Sequence, residues 1–465
     1  MSYPAMLSYG ISQINGVSAN TFKIQAQTTN DITAGGSIRF TIPTNALVDM
    51  RKVKLHFCAS TSGTAGTGEA GSRLPEAHML FNRVQVNAGG VPLSSGLSNL
   101  NVLQQALKVI HGHDSDNVDG HMEIVRDLSP YDFRDLSAAN VGQNEALTTT
   151  SNATWLSLSL GPLFDTIEPR LVSTDLLPEI QVELFLANSN VVCRPDAGSL
   201  AGFVSASSNL DGNFTISNYH LAVPCYSIAD GVYEAVLDRT IERDDYLALT
   251  YKEYYNFSDT FTGTTLFSNS SSCLNRIMAV FRNNGFDSQG APVRVIGTNQ
   301  GGTQGQDYFQ HPDYNGEKYV SKQARFTAPI QVNLTGDSNA GLASTGQINM
   351  SFRVNSVQMP NYPVPCTEWY PLTKEAMGVD KFAMCNSMVE YMEDRYVIAV
   401  RTCLPNDSVR VKTGIDTRGS SVQMRLNTDL TTNAKSGGNE SNVEIFLDTT
   451  AELRVGAGRM LQVIA

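Results

Sequence analysis

Residues 111–121 form the densest cluster of histidines in the sequence. They read HGHDSDNVDGH and include His111, His113, Asp114, Asp116, Asp119 and His121, although the whole chain has only 7 histidines. Imidazole nitrogens and carboxylate oxygens bind zinc and calcium, and histidine also titrates near neutral pH. The cluster therefore raises the hypothesis of a metal-binding or pH-sensing site.

The spacing of this cluster fits the known metal-binding patterns poorly. An H-x-H-x-D-H pattern fails at Ser115 and Asp116, the calcium loop needs glycine where Asp119 stands, and H-E-x-x-H is absent. A helix that ends here explains the residues differently. His111 would meet the negative end of the helix dipole, and Gly112 suits the left-handed residue that often follows a helix. We predict a capped helix and a polar loop, with a metal or pH-sensing site as the alternative.

Other arrangements with catalytic potential are also weak. Two groups of carboxylates lie beside an arginine: Glu242, Asp244 and Asp245 beside Arg243, and Glu393 and Asp394 beside Arg395. Such groups are usually solvated ion pairs rather than acid–base dyads. The sequence has no G-x-S-x-G elbow, and its glycine-rich stretch GTNQGGTQGQDY lacks the lysine of a phosphate loop. We therefore assign no catalytic, metal-binding or cofactor-binding residue and expect no enzyme.

Length and composition predict two domains. The 465 residues exceed one ordinary domain, and 41% hydrophobic residues suffice for substantial cores. A net charge of −12 argues against direct nucleic-acid binding, which needs lysine and arginine to displace counterions. No stretch approaches the ~20 apolar residues of a membrane span, and the N-terminal MSYPAMLSYG lacks the pattern of a secretory signal. We predict a soluble protein made inside the cell.

The cysteines agree with a reducing compartment. They are odd in number, scattered and without a C-x-x-C pair, which favours buried free thiols. They are Cys58, Cys193, Cys225, Cys273, Cys366, Cys385 and Cys403.

Alternation of apolar and polar residues predicts β-strands throughout the chain. In SIRFTIP the apolar residues are Ile38, Phe40 and Ile42, and RKVKLHF repeats the pattern. Such strands bury one face, as in antiparallel sandwiches.

Three collinear matches between the halves indicate a duplicated domain. VNAGGVP at 86–92 matches VNSVQMP at 354–360 with an offset of 268, and VELFL at 182–186 matches VEIFL at 443–447 with an offset of 261. A weaker match sets 52–57 against 276–281 with an offset of 224. The order is kept, as expected of a repeat.

A short helix is predicted after the V-N-x-x-x-Φ-P element of each half. In the first half the helical spacing joins Leu100, Leu103, Leu107 and Ile110, with Ser98 or Asn99 as N-cap. In the second half a shorter helix starts around Leu372, Ala376 and Met377, and Ser387 with Glu390 forms a possible capping box for another.

These elements divide the chain into four parts. We predict an N-terminal arm at 1–24, a first domain at 25–225, a connector at 226–245 and a second domain at 246–465. The second domain carries a long exposed insertion loop at 285–345.

Four stretches of the chain resemble double jelly-roll major capsid proteins, most closely those of polinton-like viruses and virophages among small eukaryotic DNA viruses. IRFTIPTNALVDMRKVKLHF resembles the first two strands of the first roll, and FNRVQVNAGGVPLSSGLSNLNVLQQAL the strand, turn and helix that follow. NMSFRVNSVQMPNYPV resembles the matching element of the second roll, and VEIFLDTTAELRVGAGRMLQVI the closing strands.

The resemblance implies an all-β chain of two tandem eight-stranded jelly-rolls (β-sandwiches) with short helices in loops. It implies a structural protein of the virion, in which homotrimers of pseudo-hexameric outline tile an icosahedral capsid. The implied partners are the chain itself, neighbouring capsomers, penton and minor capsid proteins and an internal membrane, without direct nucleic-acid contact.

Two other function classes remain open. A receptor- or glycan-binding virion protein on two β-sandwiches would expose clustered aromatic residues, and Tyr254, Tyr255, Phe257, Phe261 and Phe267 come near this, although strand core explains most of them. A glycan-active enzyme would instead place two carboxylates about 5–10 Å apart in a cleft.

Overall fold

The computed structural model of the chain describes the main strands and helices of both halves. The described residues are 17–28, 30–44, 46–62, 77–94, 97–111, 154–191, 213–228, 239–261, 263–283, 326, 328–331, 348–383, 385, 388, 391–392, 395–404, 412–419, 423–428, 434–436, 439–456 and 460–464.

The first half contains two antiparallel sheets. Its strands are β1 (Val17–Gln25), β2 (Ile32–Thr33), β3 (Ser37–Thr41), β4 (Leu47–Asp49), β5 (Lys54–Ser62), β6 (Phe81–Ala88), β7 (Val91–Ser94), β8 (Thr154–Ser159), β9 (Leu171–Ser173), β10 (Ile180–Leu186) and β11 (Asn213–Ile228). A seven-stranded sheet has the order β8-β5-β11-β4-β9, with β1 and β2 also pairing with β11, and a four-stranded sheet has the order β3-β10-β6-β7.

The second half contains two sheets of the same sizes. Its strands are β12 (Tyr246–Thr260), β13 (Thr265–Phe267), β14 (Leu274–Asn283), β15 (Ile330–Gln331), β16 (Asn349–Val354), β17 (Val357–Pro365), β18 (Val397–Arg401), β19 (Met424–Thr428), β20 (Ala434–Ser436), β21 (Asn439–Gly456) and β22 (Leu461–Ile464). The seven-stranded sheet has the order β15-β20-β21-β14-β18, with β12 and β22 also pairing with β21, and the four-stranded sheet has the order β13-β19-β16-β17.

The two halves have matching strand orders. The series β8-β5-β11-β1 in the first half corresponds to β18-β14-β21-β12 in the second, and β3-β10-β6-β7 corresponds to β13-β19-β16-β17. The predicted all-β, duplicated architecture is confirmed. The implied number of eight strands per roll is not what the described residues contain, because short strands such as β2, β4, β15 and β20 bring each half to sheets of seven and four.

VNAGGVP and VNSVQMP both form a hairpin, but the residues that correspond in the structure differ by two positions from those matched in the sequence. The turn between β6 and β7 is Gly89-Gly90, and the turn between β16 and β17 is Asn355-Ser356. Gly89, Gly90 and Asn355 all have positive φ, as two-residue hairpins require. Setting turn against turn gives an offset of 266 rather than 268, and a shift of two residues leaves every side chain on its own face of the sheet.

The match between VELFL and VEIFL is wrong as a structural equivalence. VELFL lies in β10 of a four-stranded sheet, whereas VEIFL lies in β21 of a seven-stranded sheet. The counterpart of β10 is β19, and the counterpart of β21 is β11. By contrast, the weaker match sets Phe57 of β5 against Phe281 of β14, two fully buried residues on corresponding strands.

Both predicted helices form between corresponding strands. Helix α1 (Leu100–His111) follows β7, α2 (Pro162–Thr166) follows β8, and α3 (Trp369–Met377) follows β17. Short 3-10 turns occupy Met50–Lys52, Ala77–Leu80, Ser189–Val191 and Cys366–Glu368. Residues 239–244 of the predicted connector are helical, and the predicted capping box at Ser387 and Glu390 lies outside the described residues.

Each half has a hydrophobic core between its two sheets. The ring centroids of Phe57 in β5 and Phe81 in β6 are 5.3 Å apart, and those of Phe257 in β12 and Phe267 in β13 are 6.0 Å apart. In β10 every second residue is buried, as the alternating sequence predicts. We call the two halves the first roll and the second roll.

Two predicted segments look different in the structure. Residues 17–24 of the predicted arm lie within β1, a strand of the first roll. The predicted insertion loop 285–345 lies largely outside the described residues, but its described part includes the strand β15 and the fully buried Phe326. Phe326 and Ala328 are therefore packed rather than exposed, and the Tyr396 backbone donates to the Phe326 carbonyl at 3.0 Å. The domain boundaries themselves stay predictions.

Candidate interface between the two rolls

The histidine and aspartate cluster lies almost entirely outside the described residues. His111 is the last residue of α1, as the sequence predicts, and residues 112–121 are not among those described. Within the described ranges, no three His, Cys, Asp or Glu side chains lie close enough together to hold a metal ion. The loop at 112–121 therefore stays a prediction.

One described carboxylate of the two groups noted in the sequence, Asp244, forms a surface ion pair. Arg243 and Asp244 are both exposed and 2.7 Å apart. The hydrogen bond from Arg243 lowers the pKa of the Asp244 carboxyl. This is the ion-pair arrangement that the sequence favours, and Glu393 and Asp394 lie outside the described residues.

The aromatic residues at 254–267 belong to the core of the second roll. Tyr254, Phe261 and Phe267 are buried, and Tyr255 and Phe257 are partly buried against the same core. They therefore do not form the exposed aromatic cluster that a binding module would need. The described cysteines are free thiols, and all but Cys403 are buried.

Helix α1 connects the two rolls. It belongs to the first roll by sequence, and its residues Asn101 and Gln105 hold it there through the Met79 carbonyl at 3.4 Å and the His78 ring at 3.0 Å. Its apolar residues nevertheless pack into the core of the second roll. They are Leu100, Val102, Leu103, Ala106, Val109 and Ile110.

The residue before this helix is hydrogen-bonded to a buried carboxylate of the second roll. Glu444 of β21 is 1% exposed and forms an ion pair with Arg282 of β14. Asn99, the residue before α1, donates through its side-chain nitrogen to Glu444 at 3.0 Å, and Asn256 of β12 donates to the same oxygen at 2.9 Å. Ser98 in turn donates to Asn256 at 3.3 Å. A buried charge is tolerated only with such partners, so the network ties α1 to the second roll.

The second roll extends into the first in return. β12 has 15 residues and β21 has 18, well beyond the usual strand length, so β21 spans about 60 Å at ~3.3 Å per residue. Their outer portions belong to the first roll's core cluster. These residues are Leu249, Tyr251, Ala451, Leu453 and Val455.

Hydrogen bonds close the edge of β12 against the first roll. Glu168 and Thr250 exchange two backbone hydrogen bonds of 2.8 and 2.9 Å. The Lys252 amide donates to the Thr166 hydroxyl at 2.9 Å, and the Tyr251 hydroxyl donates to the Leu93 carbonyl at 2.7 Å. Burial raises the pKa of Tyr251 far above its usual value, so this phenol stays protonated and can donate.

A second buried carboxylate anchors α3 within the second roll. Asp448 of β21 accepts hydrogen bonds from Arg276 at 3.3 Å and Asn275 at 3.5 Å. Arg276 and Arg401 both donate to the Ala376 carbonyl, at 3.1 and 2.9 Å. Two cations at the carboxyl end of a helix complement its dipole.

Sequence reasoning missed Glu444 and Asp448. Both lie in VEIFLDTT, which reads as an apolar closing strand. The available signal is their spacing: residues 444, 446 and 448 share one face of a strand, and two acids on the face of a buried strand require cationic partners.

Searches against family models and curated proteins find no match to this sequence. Solved structures do match. VP54 of PBCV-1, as fitted into a reconstruction of the virophage Sputnik, has a TM-score of 0.57 and 9% identity, covering 99% of this chain and 100% of that chain. The chain has a double jelly-roll fold.

Two further structures share this double jelly-roll fold. The PBCV-1 capsid has a TM-score of 0.56 and 10% identity, covering 99% of this chain and 100% of that one. The Faustovirus major capsid protein has a TM-score of 0.54 and 9% identity, covering 98% of this chain and 93% of that one. These two structures are a virus capsid and a viral major capsid protein.

The described helices are all short. None of them has the length and apolar character needed to cross a membrane.

Proposed function

We propose that this chain is a major capsid protein whose homotrimers form pseudo-hexameric capsomers of an icosahedral virion shell. The observation that carries the proposal is the matching strand order of the two rolls, β8-β5-β11-β1 against β18-β14-β21-β12. The likeness to viral capsid structures over nearly the whole chain supports it.

The contact between the rolls is compatible with a closed ring of copies. The first roll contributes α1 and the Thr166–Glu168 segment, whereas the second contributes β12 and β21, so the two contacting surfaces are different. Repeating such a head-to-tail contact generates a ring if the rotation closes. Three chains supply six similar rolls, and a six-lobed outline packs into a hexagonal lattice with small adjustments.

The proposed partners follow from this role. They are other copies of the chain, neighbouring capsomers, and the penton and minor proteins that complete a closed shell. The net charge of −12 suits a capsid shell that does not bind the genome directly.

Light scattering coupled to size-exclusion chromatography tests the proposal. The purified chain should elute at three times 50.5 kDa at micromolar concentration. A strictly monomeric chain under several salt conditions would contradict the capsomer.

A further inference from the structure

Strands β1 and β12 take the same place in the two rolls but differ in their surroundings. Each pairs with the long strand of its seven-stranded sheet, β1 with β11 and β12 with β21. In β12, Leu249 and Tyr251 are buried in the core of the first roll. In β1, residues 18–23 are all exposed, and Phe22 is 46% exposed.

The covering of β12 accounts for the difference. The first roll packs Leu93, Thr166 and Glu168 against β12, as described above. Among the described residues, no segment is hydrogen-bonded to the outer edge of β1. Within the described part of the chain, one of two corresponding strands is therefore covered and the other is open.

The strand registers identify corresponding residues at the two places. With Phe57 set against Phe281, the offset of 224 sets His220 against Glu444, both on the long strand. Lys23 pairs with Ala222 and Asn256 with Phe446, so Lys23 corresponds to Asn256.

The helices supply the other side of the contact. α1 and α3 both lie between corresponding strands, and the residue before each helix is Asn99 in the first roll and Glu368 in the second. Asn99 contacts Glu444 inside the chain, whereas Glu368 is exposed. The chemical groups are therefore exchanged between the two places. Inside the chain, the amide of Asn99 binds the carboxylate of Glu444. At the corresponding place on β1 and β11, the carboxylate of Glu368 would bind Lys23 and His220.

We infer that β1 and the adjoining half of β11 bind the second roll of another copy of this chain, with Glu368 of that copy against Lys23 and His220. The inference rests on the proposed capsomer and names its contact between chains. A second copy is the occupant because it carries a roll of the same topology with α3 in the place of α1. The charge agrees, since the exposed, positively charged Lys23 favours the acidic Glu368 of another copy.

A charge exchange tests this contact. Lys23→Glu and Glu368→Lys should each raise the concentration at which half of the wild-type oligomer dissociates by about tenfold or more. The double variant Lys23→Glu/Glu368→Lys should recover most of the wild-type value. Lys52→Glu is the control: it reverses an exposed charge next to β4, which pairs with β11 on the side opposite to β1, and should leave dissociation unchanged.

Hydrogen exchange gives a second measurement that needs no variant. Amides of residues 17–25 should exchange more slowly in the wild-type oligomer than in the diluted monomer. If neither single charge reversal weakens the oligomer, or if residues 17–25 are equally protected in oligomer and monomer, this contact is wrong. The capsomer proposal would still stand. A wild-type chain that never oligomerises overturns both.

Discussion

Asn99 and Glu444 lie 345 positions apart in the sequence, yet the side-chain nitrogen of Asn99 donates to the Glu444 carboxylate at 3.0 Å. This hydrogen bond joins the start of a helix in the first roll to a buried strand of the second. It lies at the start of α1, whose apolar residues pack into the core of the second roll although the helix belongs to the first roll by sequence.

Removing the Asn99 side chain tests this connection. We expect Asn99→Ala to lower the free energy of unfolding by about 1.5–3 kcal/mol, because a hydrogen bond to a buried charge is lost. Ser98→Ala is the matched control, since the Ser98 hydroxyl makes a longer, exposed hydrogen bond to Asn256 and its loss should cost clearly less. Urea unfolding of both variants measures the difference, and equal costs would show that the connection contributes little.

The ion pair of Arg282 with Glu444 gives a second prediction. Arg282→Met leaves the buried carboxylate without its cation and should destabilise the chain by about 3–5 kcal/mol. Adding Glu444→Gln removes the charge and should restore a substantial part of the loss. If the double variant is as unstable as the sum of the two single variants, the pair does not act as a unit.

The hairpin between β6 and β7 predicts a difference between two neighbouring glycines. A Cβ at Gly90 meets nothing within 4 Å, whereas a Cβ at Gly89 would lie 2.6 Å from Pro178. Gly90→Ala should therefore cost only the strain of a positive φ, about 1–2 kcal/mol, and Gly89→Ala more. Thermal unfolding of the two variants checks the order, which a reversed result would contradict.

The His56 and His220 pair predicts a pH dependence of stability in the dissociated chain. Their rings stack with centroids 5.4 Å apart. Burial, followed by the nearby charge of Lys23, lowers the pKa of His220. The unfolded chain then binds more protons than the folded chain between the lowered pKa and about 6.5, so stability falls as the pH falls through this window.

Replacing the histidine should remove that dependence. We expect His220→Gln to flatten the slope of unfolding free energy against pH below about 6.5. Measurements at concentrations below oligomer formation isolate the effect. A slope that is unchanged by the substitution would assign the dependence to other groups.

The sequence predicted what depends on local pattern. Alternation located strands such as β10, helical spacing located α1, and the match of VNAGGVP with VNSVQMP located a corresponding element in each half. These features depend on neighbours within a few residues, so periodicity and turn chemistry are sufficient to identify them.

The sequence could not predict which strands are partners. VELFL and VEIFL share one alternating pattern, but β10 and β21 lie in different sheets because their pairing involves strands far away in the chain. The contact of Asn99 with Glu444 was missed for the same reason. Nothing near either residue reveals that a helix of one roll covers a strand of the other.

Electron microscopy of the purified protein tests the central claim most directly. Matching rolls that meet through unlike surfaces should give particles with six lobes from three chains. Two-lobed particles, or rings whose lobes number other than six, would contradict the account.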